Sequence, residues 1–142
     1  MGIQQTLLKG YGAKLPWQGN RGIYLPLYNT SAYPGGFTNQ ITYITIDSTG
    51  NASDFGDSTF SGSSRAGFSG DGRAISGGGG GAQNKDIIEY FAISSTGNAS
   101  DFGNLTDWGG GDRSNLSGCS DGERGVFGGG SPTSRDDIID YI

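Results

Sequence analysis

Apolar residues in this chain come in short dense clusters set between glycine- and serine-rich stretches, and the densest cluster alternates with a period of two. Ile41 and Tyr43 fall on one side of an extended segment and Ile44 and Ile46 on the other. A second segment keeps both sets as Ile88 with Tyr90 and Phe91 with Ile93. A strand with one solvated face would alternate apolar and polar, whereas these carry apolar groups on both faces. They are therefore expected to be central strands of a sheet packed on both sides. The polar position that opens the second face, Thr42, Glu89 and Asp140, is expected near a solvated rim.

The two segments belong to a longer repeat. I-T-Y-I-T-I-D-S-T-G-N-A-S-D-F-G at 41–56 and I-E-Y-F-A-I-S-S-T-G-N-A-S-D-F-G at 88–103 are offset by 47 positions and agree at 12 of 16. A third start, Ile139-Asp140-Tyr141-Ile142, follows. Each is preceded by a second repeated element beginning at Arg73 or Arg124, with a degenerate version at Arg21, so the chain reads as a repeat array. Ser48-Thr49-Gly50-Asn51 and Ser95-Thr96-Gly97-Asn98 predict hairpin turns in which Gly-Asn supplies positive φ. In Asp54-Phe55-Gly56 and Asp101-Phe102-Gly103 the ring is expected in the core and the carboxylate on nearby backbone amides. Each unit thus offers about four short strands.

Before the first unit, Met1–Asn20 reads as a short strand or extended arm. Gly22–Tyr28 reads as a strand that Pro26 confines to an edge or a bulge. Asn29–Asn39 reads as a loop, and it is an insertion: Arg21 to Ile41 spans 20 positions, against 15 from Arg73 to Ile88 and from Arg124 to Ile139. Insertions in repeat arrays lie on one face, often the binding face, which makes this loop the first candidate contact surface. One domain over residues 1–142 is expected, with units at about 21–72, 73–123, and 124–142 joined by 1–20. In that scheme Thr6–Leu8, from the same chain or a neighbour, closes the last unit by covering Ile139, Tyr141 and Ile142.

A strand ending in a glycine run (Gly77–Gly81, Gly128–Gly130), a tyrosine about a dozen positions on (Tyr90, Tyr141), then an arginine opening the next strand (Arg65, Arg113) resembles the kelch-like repeat of β-propellers. The pattern departs at Trp108, 18 positions after Tyr90, and at Leu25-Pro26-Leu27, which replaces the first glycine run. The expected fold is all-β, built from kelch-like, propeller-type units of short antiparallel strands, with a threefold β-prism or trefoil-like arrangement as the alternative. The repeated I-x-Y-I-T-I-x-S-T-G-N-A-x-D-F-G followed by R-G-V-F-G-G-G is also similar to glycine-rich repeats of structural proteins of marine tailed phages, especially those of cyanobacteria. That resemblance implies a virion surface component, made in the host cytoplasm: a capsid decoration, a knob or a tail-fibre module. Its implied partners are other virion proteins, of the major capsid or the tail.

Composition narrows the chemistry. The 29 glycines are periodic, so they read as turn and close-packing positions in a modest core drawn from 32% hydrophobic residues. A net charge of −5 with nine scattered basic residues leaves no cationic stripe for nucleic acid. No run approaches a membrane span, and the first residues lack a signal-peptide pattern, so a soluble chain is expected. Histidine is absent, which removes the commonest general base and metal ligand and argues against an enzyme. The single cysteine, Cys119, is expected as a small buried thiol.

Asp47, Asn51, Asp54 and Asp57 fall within eleven residues, but the spacing misses the EF-hand register and the copy loses two carboxylates, so turn capping is preferred to calcium. No nucleotide loop is expected at Gly77–Gly81, since no Lys-Ser/Thr pair follows. Asp86, Glu89, Asp136, Asp137 and Asp140 could be arranged as a glycosidase pair, yet their recurrence at equivalent positions reads as a rim. No catalytic, cofactor or metal residue is assigned. The expectation is a non-enzymatic virion structural protein acting through protein–protein contacts, with a homo-oligomer among its assemblies. The alternative is a lectin-like module for a host-surface glycan, and Trp17, Tyr33, Phe37 and Trp108 are the candidate contact or glycan surface.

Overall fold

The structure is a computed structural model that describes residues 19–26, 28–29, 36–81, 86–106, 113–130 and 137–142. Among these the fold is all-β, with small antiparallel sheets, no helix and no closed barrel. Three sheets follow one another along the chain. The first orders β1 (Arg21–Tyr24), β4 (Gln40–Thr45) and β5 (Ser53–Asp57) as β1-β4-β5. The second is β11-β10-β8-β7, from β7 (Ala66–Gly70), β8 (Arg73–Gly77), β10 (Ile87–Ala92) and β11 (Ser100–Asn104). The third is β12-β13-β14, from β12 (Ser117–Ser120), β13 (Gly125–Gly128) and β14 (Ile139–Tyr141). Two further two-stranded pairs join β2 (Tyr28–Asn29) to β3 (Gly36–Phe37) and β6 (Gly62–Ser63) to β9 (Gly80–Gly81). The first of these pairs builds a short ladder into the stretch expected to be a loop.

The repeat is carried into the register. Ile41 pairs with Gly56 and Tyr43 with Ser53, while Ile88 pairs with Gly103 and Tyr90 with Ser100, and both ladders carry a bulge at the same step. The two-faced strands β4 and β10 are central, as their patterning requires. One core lies between the first two sheets and gathers Ile41, Phe55 and Phe91; the other lies between the second and third and gathers Ile88, Leu105, Leu116 and Phe127.

The predicted hairpins form, β4 folding back on β5 and β10 on β11, through connections wider than a tight two-residue turn. Neither Gly50 nor Gly97 has positive φ, and the 95–99 segment also docks on the first unit. Gly97 N–H donates to Phe55 O and Ala99 N–H to Asp57 O, each at 2.8 Å, and Asn98 Oδ1 accepts from Asp57 N–H at 3.0 Å. The loop of the second unit thus caps the outer edge of β5 in the first. Gly56, at φ +147, makes room for it, since a Cβ there would collide with the Gly97 carbonyl.

Three expectations about exposure are overturned. Phe102, expected in the core like Phe55, is 50% exposed, because it joins neither core cluster of the described residues. Glu89 is 0% exposed rather than on a rim, because it is held in an ion pair inside the fold. Cys119 is exposed rather than buried, since β12 is an edge strand and its neighbour Gly118 takes the packed position against the rings of Phe68 and Phe127. Residues 1–18, and with them Thr6–Leu8, lie outside the described residues. Of the three side chains they were expected to cover, Ile142 packs against the core, whereas Ile139 and Tyr141 are exposed.

Candidate functional site

The most constrained chemistry sits where a linker leaves one sheet and meets the central strand of the next. After β5 the chain runs through Ser58 and Thr59 to Arg65 before entering β7, and these side chains converge on Glu89 of β10. Thr59 donates to Glu89 Oε2 from its backbone N–H and from Oγ1, each at 2.8 Å, and Ser58 Oγ donates to Oε1 at 2.7 Å. Arg65 Nη1 closes the ring at 2.7 Å from Oε1, with side-chain exposures of 1% for Arg65 and 0% for Glu89. The guanidinium also donates to Phe60 O at 2.6 Å and lies 3.7 Å from the centre of the Phe60 ring. Burial lowers the Arg65 pKa below its ordinary value, and the Glu89 carboxylate opposes the shift through its charge and its hydrogen bond. Every lone pair of that carboxylate faces a donor, which is what makes a buried charge tolerable.

The next linker repeats the device. Thr106 follows Thr59 by the 47-residue repeat shift. It donates to Asp140 Oδ1 from its backbone N–H at 3.0 Å and from Oγ1 at 2.5 Å. Arg113 pairs with Asp140 Oδ2 and donates to Gly129 O at 2.8 Å, so one guanidinium spans two segments of the third sheet. The glycine run is shaped to this linker: Gly78, at φ +65, would drive a Cβ into the Arg113 carbonyl, and Gly79 N–H donates to that same oxygen at 2.8 Å.

Burial pushes the Asp140 carboxyl up, but the bonds from Thr106 and Arg113 outweigh it and hold the pKa below its ordinary 3.8. A depressed carboxylate contributes stability in full above its unfolded pKa and loses it as pH falls through the lower, folded one. Stability of the native chain is therefore expected to fall in acid below about pH 4. In an Asp140→Asn variant that acid-dependent fall should be shallower, as read from urea midpoints at a series of pH values.

A second feature is an open groove of about 480 Å³ between the first and second sheets. Its walls are mainly apolar, with Tyr24, Ile23, Phe68 and Ile75 along them and Arg21 at one end. Arg21 Nη1 donates to Ile93 O at 2.8 Å, and the guanidinium lies 4.9 Å from the Tyr43 ring centre. Tyr24 is among the exposed large side chains of the fold.

Neither a protein-family model nor a curated protein matches the chain.

Of the four residues singled out from sequence, Trp17, Tyr33 and Trp108 lie outside the described residues. Phe37 is exposed on β3 near Gly81 of β9, and it is not part of the groove. Of the acidic candidates, Glu89 and Asp140 go to separate linkers, Asp136 lies outside the described residues, and Asp137 is exposed. In the loop weighed for calcium, Asp47 accepts from Asn20 at 3.3 Å and Asp54 from Gln40 at 3.4 Å. Asp101 bonds the amide of Gly103 at 3.0 Å, as expected of a turn carboxylate.

Sequence reasoning missed the two linker devices, although a signal was present. A carboxylate set between Ile88 and Tyr90 in a strand apolar on both faces cannot remain unpaired, and a threonine and an arginine recur ahead of each such strand.

Proposed function

We propose that the chain is a non-enzymatic structural protein of a virion surface that works by protein–protein contact, its sheets being successive kelch-like units of a propeller-type array. The observation that supports this most is where its charged chemistry is placed. The buried carboxylate of Glu89 and the half-buried one of Asp140 bind the linker of one unit to the strand of the next. The outer surface meanwhile presents large apolar side chains, among them Tyr24, Phe37, Phe102, Ile139 and Tyr141. Exposed large apolar side chains suit assembly rather than turnover. The resemblance of the S-T-G-N-A-x-D-F-G repeat to tailed-phage structural proteins supplies the setting. Mass spectrometry of purified particles should find the chain at a fixed ratio to the major capsid or a tail protein. Its loss from particles on density-gradient purification would refute the reading.

The groove favours a second reading, a lectin-like module. Its walls combine Tyr24 and Phe68 with the Arg21 guanidinium, a set that stacks on sugar faces and donates to hydroxyls. On that reading a glycan array should show binding that Tyr24→Ala abolishes, with the fold unchanged by circular dichroism.

A further inference from the structure

The groove between the first and second sheets carries a cation that no carboxylate of the described residues neutralises. Arg65 and Arg113 are each ion-paired, with Glu89 and Asp140, whereas Arg21 is held by uncharged groups. Its Nη1 donates to Ile93 O at 2.8 Å, and its plane lies over the Tyr43 ring, 4.9 Å from the centre. These contacts fix the guanidinium. They leave Nε and Nη2, the two donors that grip a carboxylate side-on, without a partner among the described residues. Arg21 is also half-buried at an apolar wall, where a charge contact is stronger than in open water.

The walls set the body of the ligand. Along β1 and the residue after it, the strand period puts Arg21, Ile23 and Leu25 on one face, so the cation stands in line with two aliphatic side chains. On the second sheet Phe91 lies opposite Ala74, and Ala74 opposite Ser69, so the row shortens from a ring to two small side chains. Gly67 beside it keeps the space clear, since a Cβ there would come 3.3 Å from Leu25 Cδ1. From Arg21 to Leu25 the strand covers about 13 Å. A volume of about 480 Å³ falls inside the range of about 300–1,000 Å³ typical of small-molecule sites. Sugar hydroxyls set against Ile23, Leu25, Ala74 and Phe91 would lose their water without gaining partners, whereas a hydrocarbon chain gains by the same burial.

We infer that the groove is a binding site for a carboxylate carrying a hydrocarbon chain, of the free fatty acid class. The carboxylate lies on Nε and Nη2 of Arg21, and the chain runs along Ile23 and Leu25 against Ala74 and Phe91. The inference goes beyond the glycan reading, which draws on Tyr24, Phe68 and Arg21, and it is independent of the assembly reading.

The test titrates dansyl-undecanoate into the full chain and follows its fluorescence, then displaces it with decanoate, decanol or glucuronate. Saturable binding is expected, with decanoate displacing the probe at least about tenfold more effectively than decanol, the size of one charge-assisted contact. Glucuronate should not displace it. Arg21→Met should weaken decanoate at least about tenfold and leave decanol unchanged, which also reports that the groove is intact. Ser69→Phe, at an exposed position of β7 on the groove, should weaken both. The inference is overturned by absence of saturable binding, including where light scattering shows a second copy on this face. Equal displacement by decanoate and decanol, or an Arg21→Met protein that treats both ligands alike, would contradict it too, as would a Ser69→Phe protein that binds both as before. Displacement by glucuronate matching that by decanoate would overturn it while leaving the glycan reading in place.

Discussion

Replacing Glu89 with alanine is expected to destabilise the chain by about 3–5 kcal/mol, a large share of the roughly 5–15 kcal/mol available to a domain of this size. The carboxylate is fully buried and accepts from Ser58, Thr59 and Arg65. Removing it leaves the Arg65 guanidinium, itself buried, without its counter-charge and strands the hydroxyls of Ser58 and Thr59. Glu89→Gln keeps the shape and hydrogen-bonding capacity at one oxygen, but it puts an amide NH₂ against a donor, so it should fall between wild type and alanine. Urea unfolding at neutral pH reads both. A loss of under about 1 kcal/mol for Glu89→Ala would mean that the pair behaves like an exposed surface bridge.

The second large effect comes from a comparison built into the repeat. Gly56 and Gly103 occupy the same place in S-D-F-G and have nearly the same backbone angle, φ +147 and +145. Alanine at either position meets the same local strain, about 1–3 kcal/mol. Only at Gly56 does the new Cβ also collide with backbone of the docked loop, at the Gly97 carbonyl. Gly56→Ala should therefore exceed Gly103→Ala by at least about 2 kcal/mol, since the loop must lift or the strand must shift. Because the local term is shared, the difference reports packing between units and not the propensity of a glycine. Equal losses would place the 95–99 loop away from the β5 edge.

How far the fold could be read from sequence depends on the kind of signal. Strands β4 and β10 were legible because period-two patterning recurs in a repeat identical at 12 of 16 positions, and both proved central. The partner strands were legible through S-D-F-G, although the same four letters place both rings in the core, where Phe55 is buried but Phe102 is bare. That difference is made by the neighbouring unit and not by the residue. Glu89 was misread for the same reason: equivalence with Asp140 looked like a solvated rim, when the recurrence arose from a repeated linker reaching across to each carboxylate. Cys119 failed on edge geometry, which a single sequence does not carry. The candidate aromatics were chosen by residue type in loops, and the one described, Phe37, lies apart from the groove that Tyr24 and Phe68 line. From sequence, Tyr24 reads only as part of a strand.

If Thr-carboxylate-Arg linkers hold consecutive sheets together, a double-mutant cycle on Arg65 and Glu89 will show strong coupling between them. Arg65→Met and Glu89→Leu each leave a buried charge unpaired, while the double variant replaces the pair by apolar side chains. Measured by urea unfolding, the double variant is predicted to lose less than the sum of the singles by at least about 1.5 kcal/mol. Losses that add to within about 0.5 kcal/mol would show that the two groups are not coupled, and would contradict the account.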